Sequence, residues 1–142
     1  MDNAQDLEQI AAAFRWNLPR HYNIGVDVCD KWSHDPARVA LIHKPPVGEC
    51  IEYTFSEIRR LSNQSANLLL SAGLRRGDRI AVLLPQTPET AIAHVAIYKM
   101  GAIAVPLFSL FGVEALEYRL ADSGASAVIT DLAVDGKMLV FV

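Results

Sequence analysis

The second half of the chain alternates short apolar runs with segments of helical periodicity. Three apolar runs begin near residues 79, 102 and 126, so consecutive runs lie 23 and 24 residues apart. Continuous apolar runs are typical of strands buried on both faces, and a parallel return needs a crossover of a dozen or more residues, usually a helix. The pattern therefore predicts a βαβαβ unit with a parallel sheet, which is an α/β fold.

The first part of the chain shows a different pattern. Residues 1–36 place apolar side chains at helical spacing and are predicted to form an N-terminal helical packing arm. Strand-like segments at 39–42 and 50–53 flank a turn rich in proline and glycine, which predicts a small antiparallel hairpin. The predicted organisation is an arm over residues 1–36 and a truncated α/β subdomain over residues 37–142.

The hairpin leads into a helix whose two ends are marked in the sequence. Thr54 and Glu57 have the spacing of a capping box, in which each side chain accepts a hydrogen bond from the other residue's backbone N–H. Gly73 stands where a left-handed residue closes a helix. The apolar face of this helix is predicted to contain Ile58, Leu61, Leu68 and Ala72.

Four further residues are predicted to shape the α/β unit rather than to perform chemistry. Gly77 and Asp78 form the turn that leads into the first parallel strand, Gly101 ends the following helix with positive φ, and Pro106 ends the second strand.

Composition narrows the classes of function. Hydrophobic residues make up 51% and charged residues 20%, with a net charge of −3, so no broad basic field is available for nucleic acid. No apolar run approaches the roughly 18 residues of a membrane span, and the chain does not open on a secretory signal. The expected location is cytoplasmic, where Cys29 and Cys50 stay reduced.

The sequence contains few candidates for catalysis or metal binding. It has neither a G-x-G-x-x-G nor a G-x-x-x-x-G-K-[ST] phosphate loop. The four histidines lack the spacing of metal ligands, so no metal site is predicted. Ser109 follows a parallel strand, where α/β sheets bind ligands, but no nucleophile motif surrounds it. An ordinary loop serine is the better interpretation, and no catalytic residue is predicted.

The order of several motifs resembles the opening of the adenylate-forming acyl-CoA synthetases. These motifs are Tyr53–Ile58, Ala72–Ala81, Tyr98–Leu107 and Asp122–Ala125, followed by Val128–Thr130. The segments Phe14–Asn17 and Pro106–Leu116, together with Trp32, are most similar to the acetyl-, medium-chain and aryl-CoA synthetase branch.

The resemblance implies the function of a longer parent enzyme. Such a ligase activates a small carboxylic acid with ATP and Mg²⁺, giving acyl-adenylate and pyrophosphate, and then transfers the acyl group to coenzyme A. It implies that this chain is an N-terminal fragment of a larger adenylate-forming domain. The family's catalytic parts lie later in the polypeptide, so the fragment alone is expected to be inactive and to bind no cofactor tightly. A basic residue after the third strand would contact a coenzyme A phosphate, which makes Lys137 the candidate.

Two alternatives remain open at this point. The chain could be a non-enzymatic module that binds coenzyme A or a partner protein. It could also self-associate through Met138–Val142, an apolar segment that leaves a strand edge without cover.

Overall fold

The computed structural model describes residues 3–17, 19–131 and 138–141. In chain order the elements are α1 (Asn3–Ala13), α2 (Ile24–Val28), a 3-10 turn (Asp30–Trp32), β1 (Val39–His43), β2 (Ile51–Thr54), α3 (Phe55–Ser71), β3 (Arg79–Leu83), α4 (Pro88–Met100), β4 (Ile103–Pro106), α5 (Val113–Ser123), β5 (Ala127–Asp131) and β6 (Met138–Phe141).

The main sheet confirms the predicted α/β class. Its strand order is β4-β3-β5-β6, with β3 parallel to both β4 and β5. Strand β6 pairs antiparallel with β5 and forms one edge. Because the connections from β3 to β4 and from β4 to β5 run in opposite directions along the sheet, right-handed crossovers place α4 and α5 on opposite faces.

The predicted hairpin is present, and it delivers the chain directly into α3. Strands β1 and β2 pair antiparallel over residues 39–43 and 51–54. At the start of α3, Thr54 Oγ1 accepts a hydrogen bond from Glu57 N at 3.2 Å, and Glu57 Oε2 accepts one from Thr54 N at 2.7 Å. The two bonds satisfy N–H groups that a helix start leaves unpaired.

The buried face of α3 differs from the predicted one. Leu68 is 51% exposed and Ala72 is also exposed. The fully buried residues are Ile58, Ser62, Ala66 and Leu69. Ile58 is therefore confirmed, and Leu61 is partly buried against it. The prediction is wrong at Leu68 and Ala72, because the buried stripe passes through a serine that hydrophobicity alone does not select. Small side chains in the middle of the stripe let α4 approach closely, and α3 and α4 form the largest helix contact.

The hydrophobic core lies on one face of the sheet. Alternate residues of β3 and β5, including Ile80, Val82 and Ile129, pack under α3 and α4. On the opposite face, Ile103 is about half exposed, and α5 has no fully buried side chain. Within the described residues, the second face of the sheet is therefore only partly covered.

The N-terminal residues divide into a covered and an uncovered part. Leu7 and Ile10 on α1 are both about two-thirds exposed. Helix α2, in contrast, packs on α4, and the 3-10 turn contacts α3. The boundary between arm and subdomain near residue 36 stays a prediction.

A lysine near the end of α4 joins three elements. Lys99 Nζ lies 2.7 Å from Asp30 Oδ1 in the 3-10 turn, and it donates hydrogen bonds to Ser62 Oγ at 2.8 Å and Asn63 Oδ1 at 2.7 Å in α3. The Lys99 and Asp30 side chains are 9% and 21% exposed. Lys99 Nζ also donates to Arg59 O at 3.3 Å, so Ser62, Asn63 and Arg59 take up the three N–H donors of the ammonium group. The contact with Asp30 Oδ1 is an ion pair, and this buried oxygen has no hydrogen-bond partner among the described residues. We call this group the Lys99 cluster.

Helix α2 reaches the Lys99 cluster through a glycine. A Cβ atom on Gly25 would lie 2.6 Å from Lys99 Cγ and 2.9 Å from Lys99 N, so any larger residue would push α2 away from α4. Asn23 Nδ2 donates to Lys99 O at 3.0 Å, while Asn23 Oδ1 caps α2 by accepting from Val26 N. The segment from residue 23 to residue 30 is thereby fixed on α4.

Replacing Lys99 with Met should destabilise the fold strongly, because it leaves the Asp30 carboxylate in a largely buried place without its partner. We expect the free energy of unfolding, measured by urea denaturation, to fall by about 3 kcal/mol. The matched control is Lys31→Met, which breaks the pair with Asp27, whose side chains are 42% and 39% exposed. The control variant should lose far less unfolding free energy than Lys99→Met, because exposed ion pairs contribute little. Equal losses in the two variants would contradict the structural role of Lys99.

Candidate functional site

The strand order creates a crevice at the carboxyl ends of β3 and β4. The connection after β3 enters α4 on one face of the sheet, and the connection after β4 leads to α5 on the other face. The two loops therefore diverge, and open α/β sheets bind ligands where such loops separate. Residues 84–87 form one side of this crevice, and residues 107–112 form the other.

The β4–α5 side of the crevice is apolar and exposed. Leu110 is 95% exposed and Phe108 is 68% exposed. Phe108 and Phe111 pack edge to face with ring centroids 5.5 Å apart, and the Arg119 guanidinium lies 4.1 Å from the Phe111 ring. These contacts hold the aromatic rings in place but leave an apolar surface facing solvent.

The described residues contain no assembled nucleophile at this crevice. The Ser109 side chain is exposed and has no hydrogen-bond partner among them, so no base is positioned to activate it. Cys29 is buried, and desolvation raises the pKa of its thiol, which keeps it protonated. No group of three metal-ligating side chains occurs in the described part of the chain.

A small cavity of about 260 Å³ lies between β1 and the loop that leads into α4. His43 and His94 both line it. Tyr98 Oη lies 3.3 Å from His94 Nδ1. Partial burial lowers the pKa of His94, because the low dielectric disfavours the charged imidazolium.

The predicted structural residues separate into groups at different ends of the sheet. Gly77, Asp78 and Gly101 lie together at its amino end, where Gly77 N donates to Gly101 O at 3.0 Å. Gly73 (φ +95°), Gly77 (φ +89°) and Gly101 (φ +70°) all have positive φ. Pro106 ends β4 at the opposite end of the sheet, paired with Val82.

Three other predicted residues lie away from these groups or outside the described residues. Thr54 and Glu57 lie at the start of α3 and serve its cap. Lys137 lies outside the described residues, so its role toward coenzyme A stays a prediction.

The arginines around the turn before β3 bind mainly backbone oxygens. Arg75 Nη1 donates to Leu70 O and Leu74 O, and Arg79 Nε donates to Gly124 O at 3.0 Å. Asp78 Oδ2 accepts from Arg75 N at 2.6 Å. Arg75, Asp78 and Arg79 therefore stabilise the C-terminal ends of α3 and α5 and the turn before β3.

Sequence reasoning missed the Lys99 cluster. Position 99 falls four residues after Val95 and seven after Ile92, which puts it on the same helical face as those apolar residues. That placement was a signal that the lysine would be buried. Its partner Asp30 lies 69 positions earlier, which no local pattern could reveal.

Comparison with known proteins identifies the family. Residues 29–140 match the sequence model of a family described as AMP-binding enzyme, which covers most of the chain. The chain belongs to this family. The predicted similarity to acyl-CoA synthetases is confirmed.

Individual members of the AMP-binding family show how much of such a protein is present. The mouse acyl-coenzyme A synthetase ACSM3, a mitochondrial protein, is 32% identical over 136 residues, which span 91% of this chain and 23% of that protein. The crystal structure of a Brucella canis acyl-CoA synthetase superposes with a TM-score of 0.79 at 34% identity, covering 94% of this chain and 26% of that one. The N-terminal subdomain of Klebsiella oxytoca NpsA superposes with a TM-score of 0.69 at 28% identity, covering 81% and 29%. The chain thus spans about a quarter of the length of these AMP-binding relatives.

His94 should make the stability of this chain depend on pH. In the folded chain the pKa of His94 lies below the usual value of about 6.5. At a pH between these two pKa values, the unfolded chain therefore binds more protons than the folded chain. Stability is therefore full above this interval and falls as the pH drops through it. His94→Asn should reduce the loss of unfolding free energy between about pH 7.5 and about pH 5.5.

The control for this measurement is His21→Asn, which changes an exposed histidine. It should leave the pH dependence of the unfolding free energy as in the unmodified chain. If His94→Asn also leaves the dependence unchanged, the assigned role of His94 is wrong.

Proposed function

We propose that this chain supplies the N-terminal scaffold of an AMP-forming acyl-CoA synthetase. The whole enzyme would join a small carboxylic acid to ATP, release pyrophosphate, and transfer the acyl group from AMP to the thiol of coenzyme A. The observation that carries the proposal is the family match over residues 29–140, together with relatives of which this chain spans only about a quarter.

The two partly covered surfaces support a scaffold role. Apolar groups are exposed on the second face of the sheet and on the Phe108–Leu110 side of the crevice. The crevice is the place where open α/β sheets bind ligands. Exposed apolar patches of this kind mark surfaces that contact other protein or ligand groups. In the proposed enzyme, the rest of the catalytic domain would cover them.

The described residues do not fit the cofactors of the whole enzyme. Within them no carboxylate cluster could hold Mg²⁺, and the sequence has no glycine-rich phosphate loop for ATP. ATP, Mg²⁺ and coenzyme A are therefore assigned to the whole enzyme, and no chemical step is assigned to residues of this chain. The chain alone is proposed to be inactive.

The described residues include no helix with the length and apolar character needed to cross a membrane.

Three further expectations belong to this proposal. The cytoplasmic location stays a prediction, as does the division near residue 36. Self-association through Met138–Val142 also stays a proposal, and the edge position of β6 among the described strands supports it.

Turnover by the purified chain tests the proposed inactivity. Pyrophosphate release and acyl-CoA formation are measured with ATP, Mg²⁺, coenzyme A and acetate, butyrate or benzoate. The Brucella enzyme is the positive control, and we expect the 142-residue chain to match the blank. Acyl-CoA formation by the chain alone would show that the inactivity assignment is wrong. Saturable binding of coenzyme A in calorimetry would favour the alternative of a binding module.

The gene tests the scaffold proposal itself. We expect the reading frame to continue after the codon for Val142 into a Ser/Thr/Gly-rich segment ending in Lys-Gly, as the family resemblance implies. A stop codon directly after Val142 would remove the synthetase proposal for this product.

A further inference from the structure

We propose that a cleft at the amino end of the sheet binds a small phosphate-bearing anion. The cleft measures about 770 Å³ and lies between the Pro19–Ile24 loop and the C-terminal end of α4. This volume falls within the range of small-molecule sites. The cleft is at the opposite end of the sheet from the β3–β4 crevice, and the inference does not depend on the proposed synthetase function.

The charges around the cleft have one sign. The charged side chains that line it are Arg20, Arg76 and Lys99, and no Asp or Glu does so. Lys99 is already paired with Asp30. In the described part of the chain, no carboxylate lies within salt-bridge distance of Arg20 or Arg76. The whole chain carries a net charge of −3, so this local positive charge is not a consequence of overall composition.

A glycine determines where Arg76 lies. Gly101 closes α4 with φ +70°, and a Cβ atom at this position would lie 3.1 Å from Arg76 Cγ. The absence of a side chain lets the aliphatic part of Arg76 rest on the end of the helix. Arg76 also lines the cleft, and a guanidinium group has two parallel N–H donors to offer a phosphate.

The end of α4 would repel an anion if its carbonyl oxygens were free. They are largely occupied in this structure. Lys99 O accepts from Asn23 Nδ2, and Gly101 O accepts from Gly77 N. The cap N–H groups bond Ile97 O and Tyr98 O. With these dipoles engaged, the positive charge of Arg20 and Arg76 dominates the cleft.

The chemistry that fits is a phosphate group attached to a small organic body. Two guanidinium groups match the charge of a phosphate monoester or a diphosphate better than that of one carboxylate. Tyr22 and Tyr98 on the wall of the cleft can contact a flat or apolar portion of the ligand.

Calorimetric titration of the 142-residue chain with pyrophosphate tests the site. Acetate at equal ionic strength serves as the carboxylate comparison, because screening by salt affects both titrations equally. We expect saturable pyrophosphate binding with Kd of about 1 mM or lower and no saturable acetate binding. Backbone amide shifts in NMR spectra should be largest at Arg76, Tyr98 and Gly101.

Two variants assign the binding to the cleft. Arg76→Gln and Arg20→Gln should each weaken pyrophosphate binding about tenfold or more, since each removes a charged donor. Arg60→Gln changes an exposed α3 arginine that bonds Gln64 and does not line the cleft, so it should bind as the unmodified chain does. Thermal melting shows whether each variant is folded, and Arg20→Gln provides an independent result if Arg76→Gln is not.

Three results would overturn the assignment. These are the absence of saturable pyrophosphate binding, equal binding by acetate, and unchanged pyrophosphate affinity in both folded cleft variants.

Discussion

The buried ion pair between Lys99 and Asp30 constrains how the segment from residue 23 to residue 32 lies against α3 and α4. A charge removed from water is costly unless it is paired and hydrogen-bonded, and Lys99 finds its oxygens only when the 3-10 turn and α3 both lie against α4. Gly25 removes the steric barrier to that approach. Moving the segment from residue 23 to residue 30 would therefore separate two charges in a place that water barely reaches. The same arrangement forms one wall of the basic cleft beside Arg76.

The sheet has two ends and two faces with different properties. Its core face is filled by α3 and α4, while the other face and the Phe108–Leu110 loop remain apolar and accessible. Among the described residues, the carboxyl ends of β3 and β4 carry no assembled catalytic group, whereas Arg20 and Arg76 at the amino end have no carboxylate partner there. This distribution is consistent with the proposed scaffold role, in which the apolar surfaces contact the rest of the enzyme.

Local signals in the sequence predicted much of this fold. The spacing of the apolar runs gave the parallel sheet, and Thr54 with Glu57 marked the start of α3, because both depend on residues close together in the chain. The predicted apolar face of α3 was wrong at Leu68 and Ala72, because the buried face includes Ser62, which bonds Lys99 on another helix. The Lys99 cluster and the cleft beside Arg76 were not predicted, because they join residues that are distant in sequence. The crevice at β3 and β4 followed from topology, but the lack of a base near Ser109 needed coordinates.

A double-mutant cycle on Lys99 and Asp30 tests the central constraint most directly. The unfolding free energies of the unmodified chain, Lys99→Met, Asp30→Asn and the double variant are measured in urea under identical conditions. Each single variant leaves one polar or charged partner without its ion pair, and the double variant removes both charges. We expect the double variant to lose less unfolding free energy than the sum of the losses in the two single variants, by about 1–3 kcal/mol. Additive losses, within about 0.5 kcal/mol, would contradict the claim that this pair holds the segment from residue 23 to residue 30 on α4.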